Sequence, residues 1–350
     1  MLTEPETNGD GVERVGPAGA VEEAADAVRR AGGKGKRLLG RAVKSGLRRY
    51  PREIGRSLRE VVRVAGKAKG VVEEIAEHIG LGEHGERESI IERVPERGLA
   101  ACWLGHASVF VGVDGRTVLA DPVLSDRIGM AVAGRAIGLG RLAPAPAAAE
   151  AFRSVHLILI THAHFDHLDR PTLARLAHEQ TEIVVPRRTA SLVPRGFGRV
   201  TELDSGAVLE RDGLRIQAVE PRHWGARAVV DRKRGFNSYV VTSEQSGKRV
   251  LLAGDTAETD AFDRVGPVDL AALGIGAYDP WEHMHATPEQ AWRMFERMRG
   301  RRLMPVHHST FELSEEPVDE PMRRLLEAAG ETGKERLVGL EPGELWVEED

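Results

Sequence analysis

The sequence predicts an α+β domain preceded by a helical, basic segment. Three observations carry that reading. From about residue 97 onward, short aliphatic runs recur between turn residues, which is strand patterning. Only a few stretches there, near 173–177, 288–298 and 321–329, read as helix. Ahead of them, residues 21–69 repeat apolar side chains at three- and four-residue steps among many Lys and Arg, the pattern of an amphipathic helix.

Composition sets the bounds. The chain has 350 residues, 41% hydrophobic and 29% charged, with a formal net charge of -5, a globular composition large enough for one big domain or two ordinary ones. Aromatics are only 5%, so the core must be aliphatic. The single cysteine, Cys102, excludes an internal disulfide and reads as a small buried hydrophobe beside Trp103. No apolar run approaches the roughly 20 residues of a membrane span, and the N-terminus lacks a signal-peptide pattern. A cytoplasmic location is the expectation.

Residues 1–20 are rich in Gly, Glu, Pro and Thr and predict disorder. In the basic segment of residues 21–90, Leu39, Val43, Leu47, Tyr50, Ile54, Leu58, Val61 and Val62 form an apolar stripe, interrupted by Pro51. Its cations, from Arg29 to Lys69, suit an anionic membrane surface at the inner face of the membrane, packing or oligomerisation, or nucleic acid. The acidic balance elsewhere argues against nucleic acid. Gly80–Glu86 reads as a linker to a domain spanning 97–350.

Strands are predicted at 99–104, 109–113, 117–120, 155–160, 182–185, 200–203, 214–219, 237–242, 249–253, 270–275 and 303–306. Asp114-Gly115 marks a hairpin, and Asp121-Pro122 ends its second strand. Residues 127–149 read as a mobile Gly-, Ala- and Pro-rich insertion. Thr287-Pro288-Glu289-Gln290 is a capped helix start.

The chemistry concentrates after the strand at 155–160, in Thr161-His162-Ala163-His164-Phe165-Asp166-His167. Imidazole and carboxylate suit zinc and similar metals. His162 and His164 alternate on an extended backbone and can face one ion; Asp166 and His167 can face another. Four protein ligands exceed the three usual for one catalytic zinc, so two metals fit. Later strands end at His223, Asp255 and His307, which would bring donors to one sheet edge. His106, on a turn between strands, could be an outer partner, a substrate contact or a structural residue.

This pattern, His162-x-His164-x-Asp166-His167 followed by His223, Asp255 and His307, resembles the metallo-β-lactamase fold superfamily. The resemblance covers roughly residues 98–345 and implies a four-layer αββα sandwich with its metals at one edge. Trp103-Leu104-Gly105-His106-Ala107-Ser108, His167-Leu168-Asp169, Gly276-Ala277-Tyr278-Asp279-Pro280 and His285-Ala286-Thr287-Pro288 look most like the N-acyl-phosphatidylethanolamine-hydrolysing phospholipase D group. That group has Trp-Gly after its last ligand histidine, where this chain has His308-Ser309.

The resemblance implies two zinc ions, with other divalent metals admissible. His162, His164 and His223 would hold one; Asp166, His167 and His307 the other; Asp255 would bridge. Shared hydroxide would attack a phosphodiester, with Asp166 orienting it and His285 binding the phosphoryl group or assisting the leaving group. Asp169 and Asp204 would partner ligand imidazoles, and Tyr278 and Trp281 would line the pocket or pack in the core. The expected substrate is a phospholipid or another phosphodiester; the alternatives are a soluble lactonase or phosphoesterase acting on a small polar substrate, and a non-catalytic scaffold.

Overall fold

The structure is a computed structural model that describes residues 90–132, 135–227, 231 and 233–349. The basic segment and the linker expected at 21–90 lie almost wholly outside the described residues.

Two mixed sheets face each other. The first runs β15-β1-β2-β3-β6-β7-β8, from β1 (Leu99–Trp103), β2 (Val109–Val113), β3 (Arg116–Ala120), β6 (Leu157–Leu159), β7 (Glu182–Pro186), β8 (Arg199–Leu203) and β15 (Leu345–Val347). The second runs β14-β13-β12-β11-β10-β9, from β9 (Val208–Arg211), β10 (Leu214–Val219), β11 (Ser238–Ser243), β12 (Arg249–Leu252), β13 (Leu270–Gly274) and β14 (Arg302–Val306). A separate hairpin pairs β4 (Met130–Val132) with β5 (Arg135–Ile137).

Side-chain alternation explains the layers. In β1, Leu99, Ala101 and Trp103 join the core between the sheets, whereas Cys102 faces the other way. In β6, Leu157 and Leu159 point inward and Ile158 outward, onto the helix α1 (Arg170–Leu176) through Leu173 and Leu176. In β13, Leu270 and Ala272 face inward; Ala271 and Leu273 pack on α2 (Pro288–Arg297) and α3 (Glu320–Lys334). A strand buried on both faces must be apolar at every position, which is why these strands read as uninterrupted runs. The result is the αββα sandwich that the resemblance implied. Cys102 is fully buried, and burial pushes its thiol up to about 12, so it serves as a packing residue.

Cross-sheet bonds tie one end of the sandwich. Tyr239 of β11 is fully buried and donates its hydroxyl to the Ile160 carbonyl at 2.9 Å. The Asn237 amide donates to the Thr161 carbonyl at 2.8 Å, and its side chain to the Leu203 carbonyl at 2.9 Å.

Three readings change. The 127–149 insertion holds the β4–β5 hairpin and a 3₁₀ turn at Ala149–Phe152. β9 and β15 were not anticipated, and the closing helix runs to Lys334 with a break at Gly330 (φ 64°). The capped start of α2 is present as expected, with Thr287 and Gln290 forming a reciprocal capping box.

Candidate metal centre

The end with the Tyr239 and Asn237 bonds carries the chemistry-bearing residues. β6 delivers the 161–167 loop, β10 delivers His223, β12 delivers Asp255, β14 delivers His307, and the turn after β1 delivers His106. Glycine makes the approach feasible at two points. A Cβ on Gly254 (φ +60°) would lie 2.7 Å from the Thr161 side chain, and one on Gly276 would lie 2.3 Å from the His307 carbonyl oxygen.

The loop is held from both sides. Buried Asp121 accepts from the Thr161 amide at 2.7 Å and from its hydroxyl at 2.5 Å. The Arg227 guanidinium donates to the carbonyls of Ala163 and Leu168 at 2.9 and 2.8 Å and lies 4.0 Å over the Phe165 ring. At the loop's exit Asp169 caps α1, accepting from the Thr172 amide and hydroxyl and from the Ser125 hydroxyl.

The donors fall into two main groups. His162, His164, His223 and Asp255 form the first; His106, Asp166, His167 and His307 form the second, and within each the donor atoms lie within 4.8 Å of one another. Asp255 touches both: its Oδ2 is 3.6 Å from His162, 3.7 Å from His223 and 3.1 Å from His167, and its Oδ1 is 3.1 Å from His307. A third set, Asp255, His285 and His307, overlaps them, with His285 Nδ1 3.9 Å from Asp255.

The residues fit divalent metal. His164 Nε2, His167 Nε2, both nitrogens of His307 and Asp255 Oδ1 are buried without a hydrogen-bond partner. Each orphan of this kind costs roughly 1–3 kcal/mol unless something satisfies it. Five clustered together point to a cation as the missing partner. His307 Nε2 and Asp255 Oδ1 lie close without hydrogen-bond alignment, as donors aimed at a shared ion do.

Charge divides the groups further. Burial drives His162 well below its ordinary range, helped by the neighbouring His167, and pushes His223 down to about 3. Burial also works against protonated His167 and His307. For His167 the carboxylates of Asp255, Asp166 and Asp121 outweigh it, and for His307 those of Asp255 and Asp166 do. His167 is therefore held well above its ordinary value and His307 at about 9. The same contacts overcome burial in Asp166 and Asp255 and hold both carboxyls far below the usual range.

Backbone geometry marks the same place. His106, Asp121 and His307 adopt left-handed φ values of 52°, 41° and 62°. Non-glycine residues accept that conformation where surrounding contacts enforce it, often at functional sites.

The structure thus brings together His106, His162, His164, Asp166, His167, His223, Asp255, His285 and His307. It does not bring Asp204 to them. That side chain is 68% exposed and pairs with Arg187 at 3.3 Å. The carboxylate behind a donor imidazole is instead Asp121, 2.7 Å from His167 Nδ1. Asp169 serves as a helix cap, with no hydrogen bond to a donor imidazole among the described residues. Tyr278 turns its hydroxyl to Glu320 on α3 at 2.8 Å, beneath the Arg324 guanidinium. Trp281 is 49% exposed, so it is not core. His308 is buried, its ring stacked on Trp103 at 4.6 Å. Asp121 was missed because Asp121-Pro122 reads as an ordinary strand end; its only signal is an acid closing a fully apolar strand.

An αββα sandwich with this donor cluster at one edge is an architecture suited to holding divalent metal. The Beta-lactamase superfamily domain matches residues 116–308, more than half of the chain, and the chain belongs to that family. An uncharacterized protein of Mycobacterium tuberculosis is 34% identical over 250 residues, 66% of this chain and 64% of that one, so the match spans a little under two thirds of that relative. The N-acyl-phosphatidylethanolamine-hydrolyzing phospholipase D 1 of Caenorhabditis elegans is 29% identical over 281 residues, 73% of this chain and 77% of that one. Among solved structures, a metallo hydrolase from the archaeon Ignicoccus hospitalis shares the fold with a TM-score of 0.53 at 21% identity, over 72% of this chain and 99% of that one. No described helix is long and apolar enough to cross a membrane.

Proposed function

We propose that this hydrolase is a dinuclear, zinc-type phosphodiesterase acting on a phospholipid such as an N-acyl phosphatidylethanolamine. The observation that carries the dinuclear reading is Asp255, whose two oxygens lie within 3.7 Å of donors from both groups. His162, His164 and His223 would hold one ion, and Asp166, His167 and His307 the other, with Asp255 shared. Bound ions supply positive charge to a phosphoryl group and make water more acidic near neutral pH.

The chain's own residues do the rest. Asp166, at 14% side-chain exposure, is the more accessible donor carboxylate and is placed to accept a hydrogen bond from water and orient it. His285, at 17%, lies beside Asp255, and burial pushes it down to about 4. Its neutral imidazole can hydrogen-bond a phosphoryl oxygen or the leaving alcohol. Two exposed aromatics favour a lipid. The Trp224 ring is 44% exposed and 5.1 Å from His164, and the carbonyl of exposed Trp281 accepts the His285 amide at 2.9 Å. The Caenorhabditis elegans relative, by its name, hydrolyses such a lipid. The cations of residues 29–69 would hold the enzyme at an anionic membrane surface.

The test is turnover by metal-loaded protein of phosphodiester lipids, lactones and bis-p-nitrophenyl phosphate, beside Asp255→Ala. Lipid hydrolysis that disappears in the variant is expected. Turnover of lactones alone moves the substrate to the small polar class, and an unimpaired variant removes the dinuclear centre.

A further inference from the structure

His106 lies in the second donor group, and its ligand-type side chain leaves its role to be decided by geometry. Its Nε2 is 3.0 Å from Asp166 Oδ2, an ordinary hydrogen-bond length. Asp166 Oδ2 is farther from His307 Nε2, at 3.4 Å, and from His167 Nε2, at 3.6 Å. Donors about 2.0–2.1 Å from a shared tetrahedral ion stand about 3.3–3.4 Å apart, which suits those two rather than His106. The partner inventory agrees. The Nε2 atoms of His164, His167 and His307 are buried and unpartnered, whereas that of His106 is satisfied.

The rest of His106 is fixed in place. Its amide donates to Thr310 Oγ1 at 2.6 Å, and its carbonyl accepts the Trp103 indole N–H at 2.7 Å and the His307 amide at 2.9 Å. Its ring sits against Phe311 and His307, with centroids 5.3 and 4.1 Å away. One buried residue therefore contacts two members of the second group, Asp166 through its ring and His307 through its carbonyl.

We propose that His106 is a positioning residue for the second metal site: its Nε2–H holds one oxygen of Asp166, its carbonyl holds the backbone of His307, and it is not itself a ligand. The proposal rests on the metal-centre reading above. Losing an outer partner of this kind costs 10–100-fold in metal affinity.

The test uses the full chain and metal alone. Zn²⁺ affinities come from competition with a chromophoric chelator, and the coordination sphere from Co²⁺ absorption. His106→Asn accepts the left-handed backbone but is too short to reach Asp166; His106→Gln extends an N–H toward the same place. His106→Asn is expected to leave binding of one of the two ions unchanged and to weaken that of the other, at the Asp166, His167 and His307 site, 10–100-fold. His106→Gln is expected to restore it to within about threefold and to keep the wild-type Co²⁺ spectrum, because no ligand has changed.

Equal affinities in His106→Asn and wild type overturn the proposal. So does a His106→Gln protein that loses the ion as fully as His106→Asn, or whose Co²⁺ spectrum shifts, since either makes the imidazole a ligand. If His106→Asn does not fold, the His106→Gln affinity and spectrum decide. A wild-type chain that takes up no metal overturns the metal-centre reading itself, an outcome distinct from the others.

Discussion

The two donor groups sit side by side and are supported differently. Behind the first stand neutral groups: the Met284 carbonyl 3.1 Å from His223 Nδ1 and the Thr161 hydroxyl 3.0 Å from His162 Nδ1. Behind the second stands a carboxylate, Asp121, 2.7 Å from His167. Burial keeps His162 and His223 of the first group neutral, while the carboxylates of Asp255 and Asp166, joined at His167 by Asp121, hold His167 and His307 protonated near neutral pH. Metal must therefore displace protons from the second group and almost none from the first. The contrast shows how one sheet edge can build two donor groups of unlike charge from the same residue types.

The contrast breaks hardest at Asp121. Asp121→Ala would remove the carboxylate that the Thr161 amide, the Thr161 hydroxyl and His167 Nδ1 share in the buried interior, at roughly 3–5 kcal/mol. Denaturant unfolding is expected to show that loss, together with weaker binding of one ion. A variant as stable as the wild type, binding both ions normally, would erase the distinction.

The pH dependence of the metal-free chain is the next largest effect, a few kcal/mol at ~1.4 kcal/mol per pKa unit. His307, held at about 9 against an ordinary 6.5, stabilises the fold fully below pH 6.5 and loses that contribution as pH rises through 9. His223 and His106, pushed down to about 3 by burial, act oppositely: their contribution is complete above 6.5 and is lost as pH falls toward 3. Urea midpoints should therefore fall on both sides of about pH 6.5. A midpoint flat from 6.5 to 9 contradicts the protonated second group.

Calorimetry sharpens the same point. Near pH 7, metal uptake should release about two protons, from His167 and His307, so the measured heat should change with the buffer's ionisation enthalpy. Identical heats in phosphate and Tris would show that no such protons exist. The smallest effect belongs to Asp204→Ala. Its exposed pair with Arg187 predicts a change within about 0.5 kcal/mol and unaltered metal content.

Most of the sandwich was legible because strands covered on both faces advertise themselves as apolar runs. Most donors were legible because they follow such a run; His285, in the turn before α2, was reached only through the resemblance. β15 and β9 were not, because an edge strand with exposed alternate residues, such as Val208–Arg211, lacks that signature. The β4–β5 hairpin hid in Gly- and Ala-rich sequence that also describes a loop. Asp204 and Asp121 both close strands, and sequence proximity cannot say which faces an imidazole. Only the parallel pairing of β3 with β6 sets Asp121 beside Thr161, through its amide bond to the Leu159 carbonyl at 2.9 Å.

The Tyr239 and Asn237 ties fasten one sheet to the other directly beneath the 161–167 loop. The far rim has ties of its own: Ser243 and Ser246 donate to Asp114, and Lys248 pairs with Glu348 at 2.7 Å. Pinned at both borders, the sandwich should melt as a unit, and bound metal should leave with the fold rather than ahead of it.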